Sequence, residues 1–117
     1  MSQDVVLYGI SNCDTVKKAL AWLGARGVVF SFHDYKKMGV PPGLLEEWVA
    51  QAGWAVLLNR AGTTFRKLPD QDREGLDEAR AIALMRAHPS LIKRPVVPLP
   101  GRLLVGFSPD TYAATFP

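Results

Sequence analysis

Two changes of hydrophobic period within the first 33 residues restrict this chain more than any other feature. Val5, Val6, Leu7 and Tyr8 form a short apolar, β-prone run of the kind that fills a buried strand. From residue 14 to about residue 26, Val16, Ala19, Leu20 and Leu23 recur at helical spacing, while Lys17 and Lys18 fall off that face. Gly27 supplies a C-terminal stop, and residues 28–33 (Val-Val-Phe-Ser-Phe-His) read as a second strand. Strand, helix and strand in about 30 residues make a βαβ unit, with parallel strands and a right-handed crossover.

The middle of the chain changes character. Pro41, Pro42 and Gly43 open a helix lined on one side by Leu44, Leu45, Trp48, Val49 and Ala52, and Gly53 ends it. Residues 56–60 fit a short helix or an extended piece equally well. Residues 63–68 read as a helical turn stopped by Pro69, and residues 72 to about 87 as one helix with a broad apolar surface. Residues 95–99, a Pro100-Gly101 turn and residues 102–107 predict an antiparallel hairpin. Ser108, Pro109 and Asp110 can cap a last short helix. The expected fold is α/β: a mixed four-stranded sheet, with a helical insertion at about 40–90 between a βαβ half and a ββα half.

Length and composition bound the rest. A chain of 117 residues holds one domain with a single core, here taken as 1–117. Hydrophobic residues at 48% against charged residues at 21% exclude a disordered or fibrous chain. No apolar run approaches the ~20 residues of a membrane span. The start, Met1-Ser2-Gln3-Asp4, lacks the regions of a signal peptide. A net charge of +3 without a dense Lys/Arg run argues against nucleic acid and suits a small anionic ligand. A monomer is the expected state.

Cys13 is the single cysteine, so no internal disulfide can form, and a reducing cytoplasm is the expected compartment. It stands where the first strand gives way to the first helix. A thiol there faces the unpaired N–H groups of the first turn and the positive end of the helix dipole, both of which favour the thiolate. A free thiol with pKa near 8.5 is only ~3% ionised at pH 7, whereas one lowered to about 6 would be ~90% ionised. His33 and His88 stand apart from other ligands and make no metal site. Trp22, Trp48 and Trp54 fall in helical patterns as packing residues.

The order of elements is that of a thioredoxin-like framework, and particular residues sharpen it. They are the run 8–19 (Tyr-Gly-Ile-Ser-Asn-Cys-Asp-Thr-Val-Lys-Lys-Ala), Leu57-Leu58-Asn59-Arg60, 62–68 (Gly-Thr-Thr-Phe-Arg-Lys-Leu), 92–97 (Ile-Lys-Arg-Pro-Val-Val) and Gly101-Arg102-Leu103. Spread in order over nearly the whole chain, they resemble the arsenate reductase (ArsC) family, particularly its Spx and YffB branch. The resemblance implies that Cys13 is the catalytic cysteine. It also implies that Arg60, Arg94 and Arg102 surround it and bind substrate or anion through charge-assisted hydrogen bonds. Pro95, by the same resemblance, is cis, lies beside the cysteine and presents backbone groups to glutathione.

Two departures from the pattern bear on activity. Val16 stands three residues after Cys13, so there is no Cys-x-x-Cys and a mixed disulfide needs an outside thiol to resolve it. Arsenate reductases also carry a His shortly before the cysteine and a Ser shortly after it, where this chain has Gly9 and Val16. The expected function is therefore a glutathione-dependent thiol–disulfide reductase acting on a disulfide or oxyanion substrate. Glutathione would serve as cosubstrate, with no tightly bound cofactor. One alternative is an arsenate reductase using the same cysteine and arginines. The other is a non-catalytic, Spx-like regulatory protein that binds RNA polymerase.

Overall fold

The computed structural model describes residues 5–116, so the amino-terminal residues read above against a signal peptide lie outside it. The chain separates into two compact units, one running up to Met38 and resuming at Arg94, the other spanning Gly39–Lys93.

The first unit carries the whole sheet. Strand β1 (Val5–Gly9) leads into helix α1 (Asp14–Ala25), strand β2 (Phe30–Asp34) and a helical turn α2 (Tyr35–Met38). Two further strands and the last helix return to this unit from residue 94 onward. The strand order is β2-β1-β3-β4, where β3 is Val96–Leu99 and β4 is Arg102–Val105. β1 and β2 run parallel with Val5 opposite Phe30 and Gly9 opposite Asp34. β3 runs antiparallel to β1 through Tyr8 and Val96, and β4 antiparallel to β3. The four-stranded mixed sheet expected from the sequence is present. Val5, Leu7, Val16, Ala19, Leu23, Val97, Leu104 and Tyr112 form its core, with the last helix, α8 (Pro109–Thr115), supplying Tyr112. Ser108 caps α8 by accepting from the Thr111 amide, and Pro109 occupies the first turn.

The second strand starts later than its apolar run suggests. Gly27 takes a left-handed conformation (φ 72°), and the amides of Gly27 and Val28 donate to Gly24 and Leu23, closing the end of α1. Val28 is thus used as a helix stop and Val29 is 78% exposed; pairing begins only at Phe30.

The second unit is helical. It contains α3 (Leu44–Ala52), α4 (Trp54–Leu57), α5 (Thr63–Arg66), α6 (Asp70–Arg73) and α7 (Glu78–Ala87), then a 3-10 turn over Pro89–Leu91. Leu45, Trp48, Val49, Leu57, Leu58, Ala81, Met85, Leu91 and Ile92 are buried. The ambiguous stretch after Gly53 resolves into both readings: α4 through Leu57, then an extended Leu58 that bridges Ile92. The single helix expected over 72–87 is instead two. Gly75 adopts φ 62°, and Asp77 starts α7 afresh by accepting from the Arg80 amide at 2.9 Å. The Arg80 side chain bonds the carbonyls of Gln71, Glu74 and Gly75 across the break.

Candidate functional site

Cys13 is the N-cap residue of α1, with extended backbone (φ −144°, ψ 123°). Its carbonyl accepts from the Lys17 amide at 2.9 Å, and its half-buried side chain makes no full capping hydrogen bond of its own. The sulfur has a different partner: Arg94 Nε donates to Sγ at 3.3 Å across 81 positions of sequence. Burial pushes the thiol up. The amide of Val16, the hydrogen bond and charge of Arg94, and the amide of Thr15 outweigh it, so Cys13 ionises below its ordinary value.

Arg94 is held for this contact from several sides. It precedes Pro95 through a cis peptide bond, as the resemblance implies, and β3 begins immediately afterwards. The Pro95 carbonyl accepts from the Gly106 amide at 2.8 Å, which ties the start of β3 to the end of β4. Behind Arg94 lies Tyr35, fully buried, whose hydroxyl interacts with the guanidinium. Burial raises the Tyr35 hydroxyl well above its ordinary value despite the opposing charge of Arg94. Partial burial disfavours the Arg94 charge, but its contacts with Cys13 and Tyr35 more than compensate and keep it protonated.

The other two arginines lie in different elements. Arg102 is exposed and pairs with Leu99 at the turn end of the β3–β4 hairpin, whereas Val105 and Val96 form the end that meets β1. The register therefore brings Arg94, and not Arg102, to Cys13. Arg60 belongs to the second unit, where it is exposed and its guanidinium lies 5.7 Å above the Trp54 ring.

The sequence reading missed Asp34 and Tyr35. Asp34 is the one buried charged residue among the described residues, and accepts from the amides of Ser11, Lys36 and Lys37 at 3.2, 3.0 and 3.3 Å. Burial raises its carboxyl pKa. Its bonds from Ser11, Lys37 and Lys36 overcome that and hold it below the usual carboxylate range. The available signal was an Asp directly ahead of a short polar run, the signature of a helix cap.

Gly9 and Val16 occupy the positions discussed above for a His and a Ser, and they touch. A Cβ added at Gly9 would sit 2.8 Å from Val16 Cγ2 and 3.4 Å from Cγ1. Val16 is fully buried and stiff at χ1, so it has no easy retreat. Gly9→Ala should destabilise by about 1–3 kcal/mol through overpacking. Adding Val16→Ala should recover part of that loss, giving a favourable coupling in a double-mutant cycle read by urea denaturation. Strict additivity of the two would show that the close approach costs nothing.

Comparison with known proteins agrees with this architecture. The ArsC family model matches residues 8–115. A solved structure of a YffB protein is 57% identical, with 97% of this chain and 99% of that one covered and a TM-score of 0.93. An arsenate reductase (ArsC) related protein from Brucella melitensis is 51% identical over 99% of this chain and 97% of its own, with a TM-score of 0.79. The global transcriptional regulator Spx of Streptococcus mutans is 29% identical over 115 residues, covering 97% of this chain and 83% of the regulator. With a match over nearly its whole length and a thiol–arginine pair set on a thioredoxin-like sheet, the chain belongs to the ArsC family.

Proposed function

We propose that this protein is a glutathione-dependent thiol–disulfide reductase with Cys13 as its nucleophile. The observation that carries the reading is the 3.3 Å contact between Arg94 Nε and the lone thiol at the head of α1. It supplies a stabilised thiolate with no second cysteine to compete for it.

The thiolate attacks the glutathionyl sulfur of a mixed disulfide, RS–SG. The S–S bond breaks, R leaves as thiolate, and Cys13 becomes glutathionylated. A second glutathione, as thiolate, attacks the new S–S bond, regenerates the Cys13 thiolate and leaves as glutathione disulfide. Two electrons pass to R–S, and each step exchanges one S–S bond for another. Arg94 favours Cys13 as leaving group in the second step by stabilising its anion. Pro95 adjoins the backbone that receives glutathione, and Arg94 also attracts its carboxylates. Arg60 and Arg102 are the further candidates for those carboxylates. The hairpin-end position of Arg102 makes Arg102→Ala a milder change than Arg94→Ala.

Such chemistry belongs in a reducing, cytoplasmic compartment, needs no tightly bound cofactor and requires only a monomer. Arsenate reduction uses the same thiolate, but the apolar Gly9–Val16 contact stands where a polar His and Ser would assist an oxyanion. The similarity to Spx favours a second reading, an RNA polymerase-binding regulator.

The deciding assay couples a glutathionylated peptide and reduced glutathione to glutathione reductase and follows NADPH consumption. Turnover proportional to protein, faster than with arsenate in place of the peptide, is the expected result. Faster turnover with arsenate makes the protein an arsenate reductase. No turnover with either, together with RNA polymerase capture that survives Cys13→Ser, makes it a regulator.

A further inference from the structure

We propose that Asp34 is a positioning residue for Cys13: its carboxylate ties the loop that carries the thiol to the first turn of α2, and so keeps the sulfur within reach of Arg94. The inference rests on the thiol chemistry proposed above.

Asp34 ends β2 directly opposite Gly9, the last residue of β1, so it sits where the loop 10–13 departs. One carboxylate oxygen, Oδ2, takes the amide of Ser11, two residues ahead of the thiol. The other, Oδ1, takes the amides of Lys36 and Lys37 in α2. Ile10 beside Ser11 is buried, so the loop is pinned by packing and by charge at adjacent residues. The next residue after Asp34 is Tyr35, whose hydroxyl interacts with Arg94. One dipeptide thus addresses both members of the thiol–arginine pair, Asp34 through the loop and Tyr35 through the guanidinium.

Covering a carboxylate from solvent costs free energy, and a negative charge near a thiol opposes its ionisation. Asp34 therefore does not serve to acidify Cys13 directly. What it supplies is geometry: three N–H donors on two segments need an acceptor at both ends. An amide cannot replace it, because an Asn offers one oxygen and would aim its NH₂ at the remaining N–H groups.

The sign of one substitution separates the possibilities. Asp34→Asn in the full chain, read by iodoacetamide alkylation of Cys13 against pH, should move the inflection upward. The alkylation rate near neutrality should fall about tenfold, the equivalent of one pKa unit. Were Asp34 only a nearby charge, its removal would move the inflection downward. Asp77→Ala, which removes the α7 cap in the other unit, is the structural control: it should lower Tm and leave the inflection alone. An Asp34→Asn inflection that is unmoved or lowered overturns the proposal.

If that variant fails to fold, amide hydrogen exchange at Ser11 in the unaltered protein decides. Protection of at least roughly tenfold over the unstructured rate supports the tie, and exchange at the unstructured rate overturns it. Failure of the glutathione assay alongside an upward inflection removes the proposed substrate and leaves the positioning role. Turnover alongside an unmoved inflection does the reverse.

Discussion

Cys13→Ser should lower turnover of glutathionylated peptide by more than about a thousandfold and leave the fold standing. The loss should be complete because a serine hydroxyl neither ionises near neutrality nor forms an S–S bond, and the chain has no second cysteine to take over. The fold should survive because position 13 is a helix N-cap, where serine is among the preferred residues. The two proteins should nevertheless differ in how stability depends on pH. The folded thiol ionises at lower pH than the unfolded one, so ionisation adds stability to the wild type. That increment is fully present above the unfolded value of about 8.5 and is lost as pH falls through the lower, folded value. Thermal unfolding of both proteins across that range should show the wild type gaining on the variant as pH rises. A gain on lowering the pH would mean that the thiol is disfavoured as an anion, and the nucleophile assignment would fail with it.

Arg94→Ala should be the second most damaging change, lowering turnover near neutrality by about 10–100-fold. Two losses combine. The thiolate loses a charge-assisted hydrogen bond, and the buried Tyr35 hydroxyl loses the guanidinium beside it. The thiol inflection should rise toward the ordinary value, so raising the pH should restore part of the variant's rate. A deficit that persists at high pH measures what Arg94 contributes to holding the anionic substrate rather than the thiolate. Arg94→Lys, which keeps a point charge but lacks the Nε donor, should fall between wild type and Arg94→Ala. An unchanged inflection in Arg94→Ala would detach the arginine from the thiol altogether.

These two residues also mark the boundary between local and long-range information. Cys13 could be found without a structure, because a strand-to-helix junction is written in the hydrophobic period and the junction alone dictates the polar surroundings of a thiol. The βαβ unit, the hairpin and the cap of α8 were legible for the same reason: each depends on residues close in sequence. Local readings failed where neighbouring signals competed. Val28 and Val29 look like strand, but the left-handed Gly27 spends Val28 on closing α1. The apolar residues of 72–87 look like one helix, but Gly75 and the Asp77 cap divide it.

Three arginines carried equal claims in the sequence, and only tertiary structure separated Arg94 from Arg102. Antiparallel pairing of β3 with β1 sets the start of β3 beside the end of β1, and the same pairing carries Arg102 to the far end of the hairpin. The role of Asp34 was hidden for a related reason. Its partners Lys36 and Lys37 are neighbours in sequence, but Ser11 is reached only because β1 and β2 lie side by side. Period and capping act over a few residues, so the sequence could place most of the elements and the thiol. Which distant side chain meets that thiol depends on strand order and register, which no local pattern encodes.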